Sequence, residues 1–263
     1  MKKHKYKIGN GLAFDEAKDV KLLEEMAAQG YALQKISNWG FYKFAAAEAE
    51  ECAYSIDVSS LKVKDAGFKQ YVELFEAGGW TYVTSTDTIH YFKAPIGTTP
   101  IYTDSGSMAE KYERMRKICV WLGIIAGAAA AVFLALDAAF PSVWLSGLMG
   151  GGIGLSYTMF YGAVLNKRRA ARLRAGKVSS SGYGDIETAE EYEKRGKACL
   201  RYILWSLPLL AALIAWRILG TMPSLGISLT GAAVAVLVVH IFFQAWSLIE
   251  NRCKAAKLRK AKI

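Results

Sequence analysis

Apolar and polar positions follow two different rhythms along this chain. Over residues 1–95 they alternate in short runs or recur at helical spacing, whereas residues 118–136, 143–165 and 225–249 are apolar runs without a formal charge. In the first part, Lys3–Gly9 (KHKYKIG) has the alternation of a strand. DEAKDVKLLEEMAAQ (15–29) places Val20, Leu23, Met26 and Ala27 near a 3.6-residue period, which predicts a helix, and Gly30 supplies its stop. Residues 31–37 and 40–45 then read as strands, the second containing FYKF. The pattern recurs: a strand over 53–59 (AYSIDVS), a helix over 66–77 with Phe68, Val72 and Phe75, a stop at Gly78–Gly79, and strands over 80–86 and 88–94.

The recurrence is a duplication. At an offset of 49 Gly30 meets Gly79, Tyr31 meets Trp80, Leu33 meets Tyr82, Tyr42 meets Tyr91 and Ala45 meets Ala94, while YKIG (6–9) meets YSID (54–57) at nearly that offset. Strand–helix–strand–strand written twice predicts an α+β domain, one antiparallel sheet with both helices on one face. Trp39, Tyr42, Trp80, His90 and Tyr91 would then stand on the open sheet face as an aromatic floor for a ligand, with core packing as the plainer role for the same residues. Topologically such a duplicated module is similar to the sheet-and-helix domains of bacterial GyrI-like drug-sensing proteins, whose cleft between repeats takes small apolar molecules.

The apolar half predicts an all-α, four-helix transmembrane domain. Residues 118–136 and 143–165 are long enough to cross about 30 Å of hydrocarbon, and 225–249 is a third clear span. The segment 198–222 contains Arg201 and Arg217, both toward its ends, where a long side chain reaches the headgroups. These spans also form a repeat. YERMRKIC (112–119) matches YEKRGKAC (192–199), Pro141 matches Pro223 in the connections, and NKRRAARLR (166–174) matches NRCKAAKLR (251–259). The domain plan is therefore 1–97 as the duplicated α/β domain, 98–117 as linker and amphipathic lead-in, and 118–165 as the first hairpin. A connection (166–197), the second hairpin (198–250) and a basic tail (251–263) follow.

Charge changes the picture by giving direction. The net charge is +10, yet residues 1–100 hold 12 Lys/Arg against 13 Asp/Glu, so the excess belongs to the apolar half. Lys167, Arg168, Arg169, Arg172, Arg174, Arg252, Lys254, Lys257 and Arg259 follow the second helix of each hairpin, while the Pro turns carry almost no positive charge. The positive-inside bias puts both termini and the 166–197 connection in the cytoplasm, with the basic residues against an anionic inner leaflet rather than nucleic acid.

Candidate chemistry is sparse. GLMGGGIG (147–154) offers Gly147, Gly150, Gly151 and Gly154 as a helix-packing face, within the bundle or between copies in a homo-oligomer. His240 is an ionisable residue at mid-span, where a hydrogen bond to a neighbouring helix or a functional role would each account for it. Cys52, Cys119, Cys199 and Cys253 form no CxxC and have no His at ligand spacing, so free thiols are expected and no metal. The first 100 residues lack a signal-peptide pattern, and no nucleophile, phosphate-loop or dinucleotide motif occurs. Neither an enzyme nor a cofactor is expected.

LLEEMAAQGYAL, FYKF, YSIDV, the EAGGW helix end, IHYFKAP and IYTDSGSMAEKYERMRK resemble, in this order over about residues 1–117, the bacterial family known as domain of unknown function 2812. The resemblance implies C-terminal membrane spans and a gene setting beside PadR-type repressors, and it supplies no catalytic residues. The expectation is a bacterial inner-membrane sensor or regulator whose cytoplasmic domain binds a small apolar molecule or a cytosolic protein. A small transporter or envelope-stress export factor, or an accessory subunit of a larger membrane complex, is the alternative.

Overall fold

The computed structural model describes residues 3–9, 11–37, 40–140, 142–176, 189–218 and 224–260, with some helical side chains outside that description. The elements run β1 (His4–Ile8), α1 (Leu12–Ala28), β2 (Tyr31–Ile36), β3 (Phe41–Ala46), β4 (Cys52–Val58), α2 (Phe68–Ala77), β5 (Thr81–Thr86) and β6 (Ile89–Pro95). Four long helices follow: α3 (Ser105–Ala139), α4 (Val143–Arg174), α5 (Ala189–Ile218) and α6 (Ser224–Lys260).

The duplication appears in the hydrogen-bond register. Both sheets are three-stranded and antiparallel, ordered β1-β3-β2 and β4-β6-β5. His4 pairs with Ala45, and Ala53, 49 residues later, pairs with Ala94. The irregularity between Leu33 and Lys35 recurs between Tyr82 and Thr84, again 49 residues on. Gly30 and Gly79 both sit at positive φ, 78° and 85°, which only a residue without Cβ adopts freely after a helix. This register makes Lys5, not Tyr6, the counterpart of Tyr54. A one-residue slip exchanges the faces of a strand, so the YKIG–YSID match is out of phase.

Two expectations about this domain are overturned. There are two sheets, not one; they meet where Thr86 Oγ1 donates to Ile36 O at 3.3 Å, across β5 and β2. The helices also lie on opposite faces of the second sheet. Tyr91 joins Val20, Leu23 and Met26 of α1 in one core, whereas its neighbour Phe92 joins Tyr71 and Phe75 of α2 in another. Adjacent strand residues point to opposite faces. The physical reason is reach: α1, with 17 residues, packs on β2 and β3 and also on Cys52, Tyr54 and Ile56 of β4, while α2 has ten residues and covers only its own sheet.

Among the described residues three helices are long and apolar enough to cross a membrane: Ser105–Asp137, Trp144–Arg174 and Tyr192–Ala215, containing 18-residue stretches with mean hydropathies of 2.4, 1.2 and 1.8. The fourth expected span belongs to α6, many of whose side chains, like Pro141 and Pro223, lie outside the described residues. The lead-in is not a separate helix: α3 runs unbroken from Ser105, and the two basic nonapeptides continue α4 and α6.

The chain divides into two compact units, Met1–Cys119 with Gly162–Gly184, and Val120–Tyr161 with Asp185–Ile263. The first therefore includes the start of α3 and the end of α4. Inside it α1 is kinked at Asp15 (φ −150°, ψ 74°). The freed carbonyls find partners on α4: Asn166 Nδ2 donates to Ala13 O at 3.0 Å, and Arg169 donates to Ala13 O at 3.3 Å and Phe14 O at 2.5 Å. In the second unit α3 and α4 meet through small residues. A Cβ on Gly152 would stand 3.0 Å from Ala130 Cβ and 3.1 Å from Ala126 O, and one on Gly127 3.3 Å from Ser156 Oγ. Gly147 and Gly151 have nothing within 4 Å, while Gly150 and Gly154 are buried. The close approach of α4 to α3 thus runs through Gly152, from which helical spacing reaches Ser156 and not Gly147 or Gly151.

Candidate functional site

Within the first unit a cleft of about 170 Å³ lies between β4, the start of β5, the 98–102 loop and the first turns of α3. Ala53, Trp80, Ile101 and Met108 give it apolar walls, and Glu24, Ser55 and Tyr102 bring polar atoms to them. Local sequence sets each part. Trp80 follows the left-handed Gly79, and its indole N–H donates to Thr99 O at 2.9 Å, fixing the loop. Asp104 then starts α3 as its N-cap, accepting from the Ser107 backbone N–H at 2.8 Å and its hydroxyl at 2.6 Å. Glu24, partly exposed on α1, accepts from the Tyr54 N–H at 3.2 Å.

Behind the cleft lies a buried charged layer. The Asp57 carboxylate accepts from the hydroxyls of Tyr71 (2.5 Å) and Tyr102, and Arg114 stands 3.8 Å away. Burial, and then the Asp57 charge, push both tyrosine hydroxyls far above their usual range, so they remain donors. Glu16 and Lys111, 7% and 2% exposed, form an ion pair that joins α1 to α3. Burial pushes the Glu16 carboxyl up, against the pull of Lys111 and Arg169. The Lys111 ammonium also lies 5.1 Å from the Tyr102 ring centroid. Sequence periodicity could not show this layer, since Asp57 sits in an alternating strand and Lys111 in a run of charges.

The expected aromatic floor is not assembled as one open surface. Tyr42 and Tyr91 are 2% and 1% exposed and meet edge-on at 6.1 Å in the α1 core. Their hydroxyls interact with each other and with Asp19, and burial pushes both up. His90 is fully enclosed on the α2 face, with Nδ1 2.6 Å from Ser85 Oγ and Nε2 2.9 Å from Ser59 Oγ and 3.0 Å from Leu61 O. A carbonyl can only accept, so Nε2 carries the hydrogen and Nδ1 accepts from Ser85. Burial lowers the pKa of this imidazole. Trp80 alone of the described four borders the cleft, and Trp39 lies outside the described residues.

The second unit holds a cavity of about 310 Å³ between α4, α5 and α6, lined by Gly154, Tyr157, Thr158, Ser206 and His240 with apolar neighbours. His240 makes no hydrogen bond to a neighbouring helix among the described residues; it meets the rings of Tyr157 at 5.2 Å and Tyr202 at 6.2 Å. Of the basic residues, Lys167, Arg168 and Arg252 are exposed, Arg174 lies 3.4 Å from Glu113, and Arg259 lies 2.7 Å from Glu193. Arg169 serves the α1 kink and stacks 5.7 Å from the Tyr112 ring, and Arg172 is half-buried. The side chains of Lys254 and Lys257 lie outside the described residues. All four cysteines are free, and among the described residues no cluster suits a metal ion.

No curated protein and no solved structure matches the chain. The model of the family described as "Protein of unknown function (DUF2812)" matches residues 15–124, from the α1 kink into α3, and so supports an N-terminal domain of unknown function.

Proposed function

We propose that the protein is a bacterial inner-membrane sensor or regulator with four spans and cytoplasmic termini, whose N-terminal domain binds a small, mostly apolar molecule in the cleft beside Trp80. The observation that carries this reading is the position of the cleft. Its wall is the 98–108 segment, which leads directly into α3, the most apolar of the candidate spans. Occupying the cleft would press on Ile101, Tyr102 and Met108, and through Tyr102 on Asp57 and Arg114. The apolar walls favour an aromatic or aliphatic body, and the Glu24 carboxylate favours a basic nitrogen on it. A regulator of this kind suits the setting beside a PadR-type repressor that the family resemblance implies.

The test uses the full chain in detergent, with 1-naphthylmethylamine and neutral 1-methylnaphthalene as probes. The amine is expected to raise the unfolding temperature, Ala53→Leu to abolish the rise by filling the cleft, and Glu24→Gln to cut the preference for the amine about three- to fivefold, the worth of an exposed ion pair. An equal shift in the wild type and Ala53→Leu would remove the support for this cleft. For the topology, Cys253 and Lys64→Cys, both exposed, should react with an impermeant maleimide from the cytoplasmic side, and Phe140→Cys from the other. Labelling of all three from one side would overturn the span count.

A further inference from the structure

We propose that the helical unit contains a separate ligand site, the cavity between α4, α5 and α6, which takes an uncharged apolar molecule bearing one hydroxyl or carbonyl, with His240 as its hydrogen-bonding anchor. This inference rests on the membrane reading of the helices and is independent of the cleft beside Trp80.

The argument starts from an inventory of polar groups. Thr158 Oγ1 donates to Gly154 O at 2.9 Å, and Ser206 Oγ donates to Tyr202 O at 2.7 Å, so both hydroxyls are used within their own helices. Tyr157 OH accepts from Gln244 Nε2 at 3.2 Å. His240 has only the two tyrosine rings, set at 69° and 87° to its own, and no hydrogen bond among the described residues. An imidazole carries one donor and one acceptor, and leaving both unmet in an apolar surround is costly. Its ring is nevertheless held edge-on by two aromatics, as a fixed anchor is held and a free rotor is not.

The space beside it is made by the backbone. The buried Gly154 lines the cavity and brings no side chain into it, and the volume of about 310 Å³ is at the lower end for small-molecule sites. Among the described residues the lining contains no Asp, Glu, Lys or Arg to compensate a full charge on the ligand. A neutral alkanol or an acylated neutral lipid satisfies both requirements: its chain replaces bilayer contacts, and its oxygen bonds His240.

The test is photolabelling of the full chain in phosphatidylcholine vesicles with a diazirine-bearing dodecanol. Adducts are expected on the Ile153–Thr158 and Val236–His240 segments and should be suppressed by excess decanol. They should fall at least tenfold in Gly154→Leu and severalfold in His240→Phe, which keeps the ring and removes the hydrogen bond. A matched dodecane probe should be insensitive to His240→Phe. Should Gly154→Leu fail to fold, Ser206→Leu fills the cavity from α5. Adducts spread over exposed residues such as Phe242 and Trp246, unaffected by either change, would overturn the site. Lipid extraction of protein from native membranes separates the two sources. A neutral lipid retained by the wild type and lost in His240→Phe assigns a membrane component, and labelling without such a lipid assigns a molecule entering from outside.

Discussion

The two units distribute size and polarity in opposite ways. In the first, the interior holds large aromatics and paired charges: Tyr42, Phe44, Tyr91 and Phe92 at 2% exposure or less, together with Glu16, Asp57 and Lys111. In the second, Ala126, Ala130 and Gly152 lie at the contact between helices, while Trp121, Trp144, Trp205 and Trp246 are 62–84% exposed. A surface of this kind is unfavourable in water and natural in lipid, where burial of apolar area no longer drives packing and close backbone approach takes over. The same chain thus shows two solvents in its two interiors.

The sharpest way to break that comparison is to unpair the buried charge of the first unit. Lys111→Met leaves the Glu16 carboxylate enclosed and should cost about 3–5 kcal/mol. Adding Glu16→Gln should restore most of it, read as the unfolding temperature of the full chain in detergent. If Lys111→Met alone is neutral, the buried layer is not a stability element.

The second unit should instead be sensitive to small-to-large changes. Gly152→Ala is expected to cost about 1–3 kcal/mol, because Ala130 and the Ala126 carbonyl must move. Gly147→Ala, with open space around it, should be neutral or stabilising by up to about 1 kcal/mol from helix propensity alone. Equal effects at the two glycines would contradict the described contact. Arg169→Ala should cost about 1–3 kcal/mol by leaving the Ala13 and Phe14 carbonyls short of donors, and Lys167→Ala almost nothing, although both belong to the same basic run.

The smallest effect concerns pH. The folded protein keeps His90 neutral, with a pKa lowered from 6.5 by burial, so the unfolded chain binds the extra proton first as pH falls. The stability that His90 contributes is complete above pH 6.5 and is lost as pH drops through the window below it. The unfolding temperature should therefore fall in mild acid more steeply for the wild type than for His90→Gln, by at most about 1.4 kcal/mol per pH unit.

Much of the frame was legible from residue pattern because period and punctuation are local properties. The offset of 49 between Gly30 and Gly79 carried the duplication, and the apolar runs carried the helices of the second half. The partition of helices over the sheets was not legible, because it depends on the length of α1 relative to α2, a tertiary matter. Aromatic alternation could name Trp80, Tyr42 and His90 but not the side of the sheet each faces, since neighbouring strands exchange faces with one residue of slip. The Glu16–Lys111 pair, 95 residues apart in sequence, left no local signal at all. His240 stood out by position alone, and only the structure set Gly154 beside it.

The length of α3 has a consequence for its surroundings. At 1.5 Å per residue its 35 residues span about 52 Å. A hydrocarbon layer about 30 Å thick takes up about 20 of them, which leaves about 15 for water, the length that Ser105–Cys119 supplies within the first unit.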